Sequence, residues 1–166
     1  DEALALVERA REALRRGGLH RTRSTVDAVD RLHARGAMQA LLSRPGDPAL
    51  VARVEALGRT LRRATNPSSS GQAMLDQATA RSLAGDVEAA RRAWRRAHEH
   101  FEQEGMRAHL AATRIRLAEV TSPHEAARLA AQAETYLAEQ RISERERFVD
   151  AFAPAVPPEP HDRRSG

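Results

Sequence analysis

The sequence predicts an all-α fold built from antiparallel helical hairpins. Three observations carry that expectation. Apolar residues recur at helical spacing along most of the chain, and no convincing period-two run interrupts them. Aromatic residues make up only 3% of the 166, so a core has to be assembled from Ala, Leu and Val. Ala is the strongest helix former and is small enough for helices to approach closely. Gly, Pro, Ser and Asp signals then cut the pattern into segments of helix length.

A first helix is expected over roughly 2–16, with Ala3, Val7, Ala10 and Leu14 on one face and Gly17-Gly18 as its stop. A second starts near Ser24, whose spacing to Asp27 resembles an N-terminal box, and carries Val26, Val29 and Leu32 toward Leu42. Gly36 is a potential kink, because Gly costs about 1 kcal/mol relative to Ala inside a helix. Asp47-Pro48 places a cap and a first-turn Pro before the stripe Leu50, Val54, Leu57 and Leu61.

Asn66-Pro67-Ser68-Ser69-Ser70-Gly71 reads as a flexible linker. Beyond it, a helix over 72–83 ends at Ala84-Gly85. Asp86 caps a longer one with Val87, Ala90, Trp94, Ala97 and Phe101 on one face. Gly105 closes that helix, and the next carries Met106, Leu110, Thr113, Leu117 and Val120. Ser122-Pro123-His124-Glu125 is a start signal for a helix burying Ala126, Leu129, Ala130, Ala133 and Leu137. Ser143 to Glu146 is read as a second capping box, opening a short helix with Phe148 and Phe152. The chain thus divides into helical hairpins over 1–65, a linker at 66–71, helical repeats over 72–153 and a disordered tail at 154–166.

Gly85-Asp86-Val87-Glu88-Ala89-Ala90, followed by Trp94 and Ala97, is similar to the second-helix half of a tetratricopeptide repeat. Ala90 aligns with Ala126, 36 residues on, near that family's period of about 34. Arg81 stands where the family places a large aromatic, and Ala130 replaces a bulky residue. The order of Gly85-Asp86, Phe101, Gly105-Met106, Arg114 to Leu117, Gln140-Arg141-Ile142 and Ala153-Pro154 resembles helical-repeat regions C-terminal to bacterial Ser/Thr kinases and regulatory ATPases. In that pattern Arg141 occupies a position expected to be Gly. The resemblance implies a tetratricopeptide-like superhelix of stacked hairpins, serving as a docking or sensing region in a bacterial signalling protein. The chain opens inside a helical pattern and is expected to be a piece of such a larger polypeptide.

Catalytic, metal and cofactor chemistry find no sequence signature. With no Cys, thiolate ligands and thiol nucleophiles are excluded, and a reducing, cytoplasmic setting is expected. His98 and His100 diverge by about 200° around a helix, so they cannot share one metal ion. There is no phosphate-binding G-x-x-x-x-G-K loop and no G-x-S-x-G elbow. No catalytic residue, metal ligand or cofactor is therefore assigned. No apolar run approaches the length that crosses a membrane.

The pI of 10.9 overstates the basic character. All 27 basic residues are Arg, so little titrates between His and Arg, and a net charge of only +4 lifts the pI far. Rows such as Arg91, Arg92, Arg95 and Arg96 leave an Arg-rich nucleic-acid-binding module as the alternative reading. The preferred expectation is a non-catalytic protein–protein interaction module. Its partner is a protein or peptide, acidic or phosphorylated, or the catalytic domain of its own parent chain. In a hairpin stack the first helix of each pair faces the groove, so Gln77, Arg81, Arg107, Arg114 and Arg116 form the candidate partner-binding set.

Overall fold

A computed structural model describes residues 2–18, 23–63 and 66–154, and among these every regular element is a helix. The order is α1 (Glu2–Arg16), α2 (Arg23–Ser43), α3 (Pro48–Leu61), α4 (Pro67–Leu83), α5 (Val87–Gln103), α6 (Arg107–Ala118), α7 (Pro123–Glu139) and α8 (Arg145–Phe152). Short connections force consecutive helices to pack on one another from α1 to α7. Contacts also link α2 with α4, and α6 with α8.

The local chemistry of the helix ends follows the sequence closely. Asp47 accepts hydrogen bonds from the amides of Ala49 and Leu50, and Pro48 opens α3. Asp86 accepts from Ala89 at the start of α5. Gly85 and Gly105 adopt φ of 77° and 66°, and the residue after each donates back to the carbonyl five positions earlier. Arg141 does the same with φ 55°, bearing a side chain where the turn favours Gly.

Other starts differ from expectation. α2 begins at Arg23, one residue before Ser24, and runs unbroken through Gly36. Ser122 occupies the cap of α7 without a side-chain cap bond; Glu125 instead accepts from Thr121 Oγ1 and from Arg95. α8 is entered at Glu144, one residue past Ser143. The stretch read as a linker is helical from Pro67 onward, with Asn66 accepting a hydrogen bond from the Ser68 amide. Residues 155–166 of the expected tail lie outside the described residues, whereas Pro154 is described and half-buried.

Three apolar clusters hold the stack together. Ala37, Leu41, Leu50, Val54 and Leu61 of α2 and α3 meet Ala73 and Ala80 of α4. Leu75 and Ala78 of α4 join Ala90, Trp94, Ala97 and Phe101 of α5, with Leu110, Leu117 and Leu129. Ile115, Ala133, Leu137 and Val149 fasten α6, α7 and α8. Because α4 serves two clusters from opposite faces, its whole stretch from Ser69 to Ala80 is buried apart from half-buried Gln72 and Met74. Some expected core residues are not in it. Leu32 is 59% exposed and Val87 54%, and Ala10 is also exposed. The side chains of Ala3 and Val7 lie outside the described ones.

Candidate functional site

A cleft of about 480 Å³ opens between α2, α4 and the end of α8. On α2 it takes Arg31, Leu32, Arg35 and Met38, which three- and four-residue spacing puts on one face. On α4 it takes Ser69, Gln72 and Asp76 by the same geometry. Leu61, Asp150, Phe152 and Pro154 complete the wall. The volume falls within the range of small-ligand and side-chain pockets, and a mainly apolar lining with a few polar groups is the usual composition of such sites.

The polar groups are unequally provided for. Gln72 donates both amide protons, to Asp76 Oδ1 at 2.9 Å and to the Phe152 carbonyl at 3.1 Å, which clamps the end of α8 onto α4. Asp76 is 7% exposed, and burial pushes its carboxyl up to about 6, against the opposing effects of the Gln72 hydrogen bond and the Arg35 charge. Ser69 is 1% exposed, and its Oγ has no hydrogen-bond partner among the described residues. Arg31, Leu32 and Arg35 are exposed at the rim.

The five sequence-predicted residues do not converge on one surface. Gln77 is 2% exposed; its amide donates to the Glu55 carbonyl at 3.1 Å and carboxylate at 2.9 Å. Arg81 joins the same Glu55 at 2.6 Å. Arg116 is also buried, donating to the Ala153 carbonyl, Glu119 and Asp150 at 2.7–2.8 Å. Gln77 and Arg116 are therefore buried braces between helices, and the expectation that they stand as polar side chains on an open groove is corrected. Arg107 and Arg114 do meet, in a shallower cleft of about 270 Å³ between α6 and α7. Arg107 pairs with Glu139 and lies 5.4 Å from the Tyr136 ring centre, while Arg114 contacts His98 and Glu102 at 3.4 Å each. His98 is held below its ordinary pKa by burial first, and by Arg114 and Arg128 beside it, with Glu102 opposing.

No family model, curated protein or solved structure matches this chain. The cleft on α2, α4 and α8 went unforeseen in the sequence because Leu32 reads as core and Ser69 as linker. A signal was present: Ser69, Gln72 and Asp76 already stand at one-face spacing if Asn66-Pro67 is taken as a helix start.

Two Arg of the row Arg91 to Arg96 are engaged with carboxylates of neighbouring turns and helices. Arg91 pairs with Glu88, Arg95 with Glu125 and Arg145 with Glu134. Trp94 and Phe101 are buried, so neither ring is available for stacking on a base. Among the described residues no group of three or more His, Cys, Asp and Glu is placed to hold a metal ion. Among them, too, no helix is long and apolar enough to cross a membrane.

Proposed function

We propose that the chain is a non-catalytic protein-interaction module, a tetratricopeptide-like stack of helical hairpins whose α2/α4/α8 cleft receives a segment of a protein partner. The observation that carries this reading is the cleft's amphipathic layout. Met38, Leu61 and Phe152 supply apolar walls, and Leu32 stands exposed on the rim between Arg31 and Arg35. Burying such a leucine against a partner contributes roughly 1.5–3 kcal/mol, and flanking Arg residues add charge-assisted hydrogen bonds to acidic groups. Pairwise packing of short-looped helices and the paired Gly turns at Gly85 and Gly105 support the hairpin-repeat reading.

In this reading the chain serves a larger cytoplasmic signalling polypeptide of bacterial type, and the partner is another protein or that polypeptide's own catalytic domain. Docking an acidic segment is favoured over nucleic-acid binding, because Trp94 and Phe101 are buried and Arg91 and Arg95 are paired with carboxylates.

The test is selection of short linear peptides on the purified chain, followed by binding to variants. Peptides that bind the cleft lose affinity when Leu32→Asp or Arg35→Glu is introduced and keep it when the exposed Glu99 of α5 is changed, Glu99→Ala. Selected peptides that tolerate both cleft variants would remove the docking assignment.

A further inference from the structure

The floor of the cleft carries an unusual excess of hydrogen-bond acceptors. The Asp76 carboxylate, 7% exposed, receives one hydrogen bond, from Gln72. Gln72 has spent both amide protons on Asp76 and Phe152, so what remains to it is the acceptor Oε1. Ser69 lines the same wall with its buried Oγ unpartnered among the described residues. A buried carboxylate needs compensation from a cation or several donors. The cation within electrostatic reach, Arg35, makes no hydrogen bond to Asp76.

We infer that this floor is a lysine-binding site. The ammonium of a partner lysine lies among Asp76, Ser69 and Gln72, its aliphatic stem runs against Met38 and Phe152, and an acidic residue beside it meets Arg35 at the rim. The inference rests on the reading of the cleft as the docking surface and gives that surface its chemistry. An ammonium brings three donors and no acceptor, which suits a lining where a buried carboxylate, an amide oxygen and an unpartnered hydroxyl can each accept. A guanidinium is the poorer fit, since its fork seeks both oxygens of one carboxylate and Oδ1 is already taken by Gln72. A neutral apolar plug would leave Asp76 and Ser69 uncompensated. The four-carbon stem of lysine suits a polar floor reached past apolar walls, with its methylenes covered on the way. Asp150 on the α8 side also lines the cleft, with its carboxylate already paired to Arg116. Arg31 and Arg35 would repel a lone cation, but they are exposed at the rim, where solvent and salt screen them. Their presence instead selects a lysine that has an Asp or Glu neighbour.

The experiment uses peptides from the display selection above, measured by fluorescence polarisation on the whole chain. The expected winners share a lysine next to an acidic residue. Replacing that lysine by norleucine weakens binding about 10- to 100-fold, the range of a charge-assisted hydrogen bond. Asp76→Asn produces a loss of similar size, and in that variant lysine and norleucine peptides bind alike, since the two changes remove one interaction. Ser69→Ala, which leaves the helix and the charge untouched, weakens only the lysine peptide. Peptides that lose binding with Leu32→Asp but carry no basic residue, or ignore Asp76→Asn, overturn the lysine site and leave the docking reading standing. Recovery of no peptide that depends on Leu32 overturns the docking reading itself.

Discussion

Gly71 of α4 lies directly against the ring of Phe101 on α5: a methyl group placed on its Cα would sit 2.7 Å from Phe101 Cζ and 3.1 Å from His100 Cδ2. The glycine leaves the space that the Phe101 ring occupies, in the middle of what its composition suggests is a loop.

Gly71→Ala is expected to destabilise the chain by about 1–3 kcal/mol. Helix propensity alone would favour Ala by about 1 kcal/mol, but Phe101 is fully buried and has no room to retreat. Urea unfolding of the single variant and of Gly71→Ala combined with Phe101→Leu checks this. The second change should recover part of the loss; a stabilised single variant would show that the helices separate freely here.

Arg141→Gly is expected to stabilise by roughly 0.5–1 kcal/mol. The residue turns the chain out of α7 with φ 55°, and a left-handed conformation costs an L-residue about 1–2 kcal/mol. The larger backbone freedom of Gly in the unfolded chain offsets part of the gain. Arg141 is exposed, so no packing is lost. A lowered urea midpoint would contradict this account of the turn.

These two sites mark the boundary of what was legible from residues alone. Caps and stops at Asp47, Asp86, Gly85 and Gly105 were readable because their chemistry is local, closing within a few residues. The stripes Leu50 to Leu61 and Trp94 to Phe101 were readable because each lies on a helix with one strongly apolar face. Asn66 to Gly71 was misread because small polar residues look like loop, whereas here smallness is demanded by a neighbouring helix. Gln77 and Arg116 look like surface residues for a related reason. Their partners, the Glu55 and Ala153 carbonyls, lie 22 and 37 positions away, and no local pattern reports them. The cleft was least visible of all, since it exists only once α8 returns to α4 through Gln72 and Phe152.

Asp76 gives the chain a defined pH response. Its carboxyl is pushed by burial from an ordinary 3.8 up to about 6 in the fold, so the folded state holds the proton more tightly than the unfolded chain. The associated stability is fully present below about pH 4, is lost as pH rises through about 6, and stays lost above. The shift of about two units corresponds to at most about 3 kcal/mol. Asp76→Asn, which can still accept from Gln72, should therefore be more stable than the unsubstituted chain at pH 7.5. The advantage should shrink as pH falls from 6 to 4. Urea unfolding across this range, read as the difference between the two proteins, cancels the other titrating groups. A constant difference would show that Asp76 is solvated.

Arg116 decides whether α8 stays in place. Its guanidinium joins α6 to the Ala153 carbonyl and to Asp150 at the far end of α8, while Ala153 itself is fully buried. Arg116→Met keeps most of the stem's packing and removes every donor. The loss should be about 2–3 kcal/mol, dominated by the buried carbonyl left without a partner. The Asp150 contribution is smaller, because that carboxylate is more than half exposed and screened by water. α8 is a short helix that packs on α6, so this energy should be felt locally. Hydrogen exchange should quicken at the amides of Phe148 to Ala153, with those of α4 and α5 much less affected. Because Phe152 walls the cleft, peptides selected on the unsubstituted chain should also bind Arg116→Met more weakly, although Arg116 does not line the site. Uniform exchange along the chain would mean that α8 unfolds only with the whole stack; unchanged peptide affinity would mean that its end does not shape the cleft.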